Sequence, residues 1–197
     1  MRVILILVAV TMLVVQLVLG SGPAPASASA SAQIRDVTGQ WLRPFDPSGS
    51  ANVVFFVSSD CPISNAYAPE IQRLCGQYGS RGIKCALLYE DLQLDVTAAR
   101  RHLFEYGYGG IPAAVDDDRT IAGLAHASVT PQAVVVDAVG AIRYRGRIDN
   151  LYAALGRRRQ QVTVHDLRDA LDDVLAGRRV SKPETEALGC SIAVPRR

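Results

Sequence analysis

Residues 52–57 read NVVFFV, an unbroken apolar run of β-branched and aromatic side chains. A half-exposed strand would alternate with polar residues, so this run predicts a strand covered on both faces. The pattern then changes to helical spacing, with Ala66, Ile71 and Leu74 set among Glu70, Arg73 and Gln77. GIKCALLYE at 82–90 predicts a second buried strand, and 96–106 a helix that Gly107, Gly109, Gly110 and Pro112 end. A short apolar piece, IPAAV, and a short helix, RTIAGLAH, follow, with Asp116, Asp117 and Asp118 offering caps and negative charge at the helix start. QAVVVD at 132–137 and AIRYRGRI at 141–148, separated by AVG, have hairpin spacing. A last helix is predicted over 164–176, with Leu167, Leu171, Val174 and Leu175 on one face and Gly177 just past its end. Strand–helix alternation followed by a hairpin predicts an α/β fold: a central mixed sheet flanked by helices, with an inserted segment and a C-terminal tail.

Outside this pattern, residues 1–32 read as an export leader: Arg2, an apolar run from Val3 to Val15, then an Ala/Ser/Pro-rich linker. Small-x-small sites at Ala28-Ser29-Ala30 and Ala30-Ser31-Ala32 suit cleavage near Gln33, and retention as an N-terminal membrane anchor is the alternative. One domain, residues 33–177, is left, with a tail at 178–197. The chain holds 21 Lys plus Arg against 19 Asp plus Glu, and that balance argues against a nucleic-acid partner. The densest basic run, GRRRQQ, reads as a solvated loop. His102 and His165 are expected on helix surfaces, and His126 is kept as a remote metal-ligand candidate. The three share no metal-ligand spacing, and neither a metal nor another cofactor is implied.

Four cysteines, at 61, 75, 85 and 190, lie in a chain that reads as exported, where disulfides persist. Cys61 stands at the junction from the first buried strand to a helix start, where unpaired amides favour a thiolate and Pro62 suits the first turn. Asp60 beside it opposes a second negative charge. Cys75 and Cys85 flank GQYGSRGIK, and either a structural disulfide or two core thiols fit that placement. Glu90 at a strand end suits proton shuttling or plain solvation. Arg143, Arg145 and Arg147 alternate, which places them on one strand face that is expected to be solvated.

The string VVFFVSSDCPIS, with SVTPQAVVVDAVGAIRYRGRID further on, resembles the thioredoxin-like redoxin family of exported bacterial proteins, which includes the alkyl hydroperoxide reductase/thiol-specific antioxidant and TlpA-like branches. The resemblance spans residues 34–176. It implies a thioredoxin-like fold, an active-site Cys61 in a loop with Asp60, Pro62 and Ser64, and a cis Thr130–Pro131 bond facing the sulfur. It further implies thiol–disulfide exchange with protein thiols or disulfides, a membrane or periplasmic electron donor, and a periplasmic or extracytoplasmic location. The chain departs from the family pattern at three places. Ser64 stands where a dithiol site has its second cysteine, so a single thiol must be resolved by another sulfur. Ser58 fits a peroxiredoxin-like peroxidase, but Val54 replaces the proline expected seven residues before the cysteine. Asn65 occupies the second cysteine position of a copper-holding branch. Redoxins with the DCPISN-like string often end in a Gly-Cys-x-Ile piece like the one around Cys190. That cysteine is expected either to resolve or co-ligate with Cys61 or to be a free tail thiol. A peroxidase, a copper holder and a non-enzymatic partner-docking module stand as alternatives to the oxidoreductase.

Overall fold

The computed structural model describes residues 31–46 and 48–193. The expected leader therefore lies outside the described residues, apart from its last two positions.

A five-stranded sheet, ordered β5-β4-β3-β7-β8, forms the centre. Its strands are β3 (Ala51–Val57), β4 (Ile83–Tyr89), β5 (Ala113–Val115), β7 (Gln132–Asp137) and β8 (Ile142–Gly146). β3, β4 and β5 run parallel, whereas β7 is antiparallel to β3 and to β8. The sheet is therefore mixed, and the 132–148 segment is the expected hairpin. Every residue of β3 is buried, as its unbroken apolar run predicts for a central strand.

Alternate strand positions feed two cores. Val53, Phe55, Val57, Leu87 and Tyr89 pack with α2 (Ala68–Gly79), α3 (Val96–Glu105) and α5 (Asp166–Leu175). Val54, Phe56, Leu88, Val134 and Val136 meet α4 (Thr120–Ala125), Phe45 and the small hairpin of β1 (Ile34–Arg35) and β2 (Trp41–Leu42). Two short strands, β9 (Tyr152–Ala154) and β10 (Arg157–Arg158), form a separate ribbon that carries part of the basic run. Both sheet edges are covered: Asp36 bridges Ala114 on β5, and Glu184 of the tail bridges Arg145 on β8.

The single helix predicted after Cys61 is two: α1 (Pro62–Ala66) and α2, joined at Tyr67. Pro69 lacks the N–H that would bond the Asn65 carbonyl, so the turn tightens there through Tyr67 N–H to Ser64 O at 3.1 Å. Cys75 on α2 and Cys85 on β4 form a disulfide, with Cα atoms 5.9 Å apart.

The tail is strapped down along the sheet edge. Thr185 N–H bonds the Arg145 carbonyl, its hydroxyl meets Tyr144 Oη at 2.6 Å, and Val180 is buried. Its end forms β11 (Cys190–Ser191), antiparallel to β6 (Val129–Thr130).

Candidate active site

Cys61 is the N-cap of α1, in extended backbone, and is 1% exposed. Its carbonyl accepts from Asn65 N–H at 2.9 Å, closing the first helical turn. Pro62 follows inside the helix, where a missing N–H costs nothing. The five-residue length of α1 leaves little dipole to draw on, so specific hydrogen bonds must set the charge state.

Those bonds are present. The Cys61 thiol lies 3.3 Å from the Thr130 carbonyl oxygen, and the Thr130–Pro131 peptide is cis. Burial alone would raise the thiol's pKa. Hydrogen bonds from the Cys190 thiol, the Ser64 and Cys190 amides and the Thr130 hydroxyl outweigh it, and the pKa falls below the ordinary thiol value. Cys190 moves the other way, to about 11, through burial, its hydrogen bond to Cys61 and the negative charge of Cys61 and Asp91. The two sulfurs are therefore shifted in opposite directions, Cys61 toward the thiolate and Cys190 toward the thiol. Cys190 is exposed, with its residue pair in register opposite Thr130.

The loop before Cys61 is held from three directions. Asp91, just past β4, accepts from the Ser58 hydroxyl at 2.8 Å and from the Ser59 amide at 3.0 Å. Ser64, buried where a dithiol site has its second sulfur, accepts from the Ser58 amide at 3.2 Å. Asn65 donates its amide to the Ser59 carbonyl at 2.8 Å and turns its oxygen to His102 Nε2 at 2.9 Å. With Asn65 oriented in this way, Nε2 is the donor, and His102 Nδ1 accepts from the Tyr89 hydroxyl at 2.8 Å. Asp60 is exposed and takes no part in this hydrogen bonding.

Several expectations change. His102 is buried, not on a helix surface, because α3 turns it onto Tyr89 and it stacks on Tyr106 with centroids 4.3 Å apart. Burial lowers its pKa. Glu90 is not solvated either. Its side chain is fully buried 3.5 Å from Arg119 Nε, and burial together with Asp116 pushes its pKa up to about 9. The three arginines of the second hairpin are engaged in ion pairs: Arg143 with Asp137, Arg145 with Glu184 and Arg147 with Asp166. His126 is exposed, and no group of three or more metal-ligating side chains gathers among the described residues. Sequence reasoning missed Asp91 and the role of Asn65 and His102. The available signal for Asp91 was its place just after a buried strand, at the sheet end where sites gather.

These features define a thioredoxin-like fold: a mixed sheet with helices on both faces, and a cysteine at a strand-to-helix junction facing a cis proline. Among solved structures, a hypothetical protein from Sinorhizobium meliloti superposes with a TM-score of 0.74 at 23% identity, covering 87% of this chain and 95% of the other. An uncharacterised protein from Geobacillus kaustophilus gives 0.74 at 24% identity, with coverages of 90% and 95%. A secreted Mycobacterium tuberculosis disulfide oxidoreductase gives 0.53 at 16% identity, covering 75% of this chain and 96% of that one. No family model matches the chain, and no curated protein matches its sequence.

Proposed function

We propose that the protein is an exported thiol–disulfide oxidoreductase in which Cys61 is the exchanging nucleophile and Cys190 its resolving partner. The observation that carries this reading is the placement of Cys190 in register opposite Thr130, whose carbonyl oxygen lies 3.3 Å from the Cys61 thiol, with Cys61 lowered and Cys190 raised in pKa. The Cys61 thiolate attacks a disulfide of a partner protein, forming a mixed disulfide and releasing one partner thiolate. Cys190 then attacks Cys61 Sγ, its proton passing to the second departing sulfur. The partner is reduced by two electrons and the Cys61–Cys190 pair is oxidised. A dithiol electron donor, membrane-bound or periplasmic, restores the pair, and the same steps reversed oxidise a partner dithiol. The leader-like sequence of residues 1–32 and the disulfide between Cys75 and Cys85 support a location outside the cytosol.

The test is peptide mapping of protein alkylated before and after reduction, for wild type and Cys61→Ser. A Cys61–Cys190 disulfide that forms on oxidation and is cleared by a dithiol supports exchange. An unreactive Cys61 refutes it. The adjacent sulfurs also suit a soft monovalent ion such as copper(I), and stoichiometric copper retention without turnover would favour the holding role instead. Peroxide consumption that depends on Cys61 would favour the peroxidase, although every arginine of the second hairpin is committed to a carboxylate partner.

A further inference from the structure

The active-site thiol is 1% exposed because the tail covers it. Cys190 pairs in register with Thr130 and Ser191 with Val129, and Ile192 N–H bonds the Ser128 carbonyl at 2.9 Å. Leu188 lines a small cleft with Tyr67, Pro131, Arg147, Ile148, Asp149 and Tyr152. Between these two anchors sits Gly189. A Cβ placed there would overlap the Thr130 carbonyl oxygen and lie 3.1 Å from Pro131 N, so no other residue can take this position with the backbone where it is. The tail thus meets the site as an extended strand with three requirements: an apolar side chain, then glycine, then cysteine against Cys61.

From this we infer that the β6 edge and Pro131 form a docking seat for an extended polypeptide carrying an apolar–glycine–cysteine segment, and that the protein's own tail holds the seat until such a partner displaces it. The inference rests on Cys61 being the exchanging thiol and adds the substrate's form to that reading. Strand addition at a sheet edge supplies backbone hydrogen bonds that any sequence can make, so selectivity falls to the side-chain positions, here the leucine cleft and the glycine contact. The tail is well suited to give way. Its firm attachments, at Pro183 and Thr185 on Arg145 and at Thr185 on Tyr144, lie upstream of the seat, so residues 188–192 can lift while the strap stays in place. A tethered segment competes at a high effective concentration, so a free peptide enters efficiently only once the tail is unseated.

The experiment uses two peptides, Leu-Gly-Cys-Ser and Leu-Val-Cys-Ser, each with its cysteine activated as a mixed disulfide with thionitrobenzoate. Attack by the Cys61 thiolate forms the Cys61–peptide disulfide and releases the coloured thionitrobenzoate anion, with no net change of oxidation state. Cys190→Ser keeps the tail seated without its thiol. Gly189→Val in that background prevents seating, and removal of residues 186–197 unseats the tail while keeping the upstream strap. Both unseated forms should react with the glycine peptide at least about tenfold faster than Cys190→Ser. Both should also prefer it over the valine peptide by about tenfold, the factor that corresponds to about 1.4 kcal/mol of lost seating. Equal rates for the two peptides, or no acceleration on unseating, overturn the inference. Iodoacetamide labelling of the unseated forms separates the two failures. If Cys61 labels but the peptides are not distinguished, the seat is wrong and the exchange reading stands. If Cys61 does not label, the exchange reading falls and the seat with it.

Discussion

Replacing Glu90 with glutamine tests the buried charge cluster beside the site loop. The Glu90 carboxyl is fully buried 3.5 Å from the Arg119 guanidinium, and neither of its oxygens accepts a hydrogen bond among the described residues. Burial, reinforced by Asp116 and opposed by Arg119, pushes its pKa up to about 9. Burial raises the pKa of Asp116 as well, but its carboxylate accepts the Ile121 and Ala122 amides at 3.2 and 2.8 Å, which oppose that rise, so the negative charge that balances Arg119 sits better there than on Glu90. Glu90 is then a neutral acid in the folded protein at pH 7, while in the unfolded chain it ionises near 4.5. The folded state holds the extra proton across that interval. Its stabilising contribution is complete below pH 4.5 and is lost as the pH rises through about 9. At about 1.36 kcal/mol per pH unit the whole interval amounts to about 6 kcal/mol, an upper limit that relaxation around the buried pair reduces.

A glutamine at this position is a neutral near-isostere with no such slope. The variant should match wild type within about 1 kcal/mol near pH 4.5 and exceed it by about 2–4 kcal/mol at pH 8, read from urea denaturation at both values. A variant that is instead about 3–5 kcal/mol less stable at pH 8 would refute the reasoning, because that is the cost of leaving a buried Arg119 charge without an ionised partner.

Three further predictions concern the site and its frame. Thr130→Val removes the hydroxyl that stabilises the thiolate, so the midpoint of Cys61 alkylation against pH, measured in the Cys190→Ser background, should move upward; an unmoved midpoint assigns the lowered pKa elsewhere. Asp91→Ala frees Ser58 and Ser59 and should cost about 1.5–3 kcal/mol in denaturation while changing the rate of Cys61 alkylation, and a stability loss with an unchanged rate would mean that Asp91 does not position the loop. Replacing both Cys75 and Cys85 with serine opens a cross-link between residues 10 apart and should cost about 2–3 kcal/mol in the chain-entropy model, with Cys61 alkylation unchanged; a rate change would show that the bridge reaches the site.

Much of the architecture was legible in the chain because the evidence for it is local. The apolar run 52–57 can be buried only on both faces, the AVG spacing can close only a short hairpin, and Leu167 and Leu171 recur at helical intervals. Cys61, Pro62 and Thr130–Pro131 were legible for a similar reason, since a motif is a short string. The charge of a side chain, by contrast, depends on what packs against it from elsewhere. Glu90 and His102 are polar residues that sequence places in solvent by default. The two faces of the sheet and the turn of α3 bury both, and only those long-range contacts decide that one is held as an acid and that the pKa of the other falls. The tail shows the same division. Its sequence supplied a cysteine, a glycine and enough length to fold back. The pairing of Cys190 with Thr130, across sixty positions of chain, exists only because β6 presents an unpaired edge beside Cys61 once the sheet has formed.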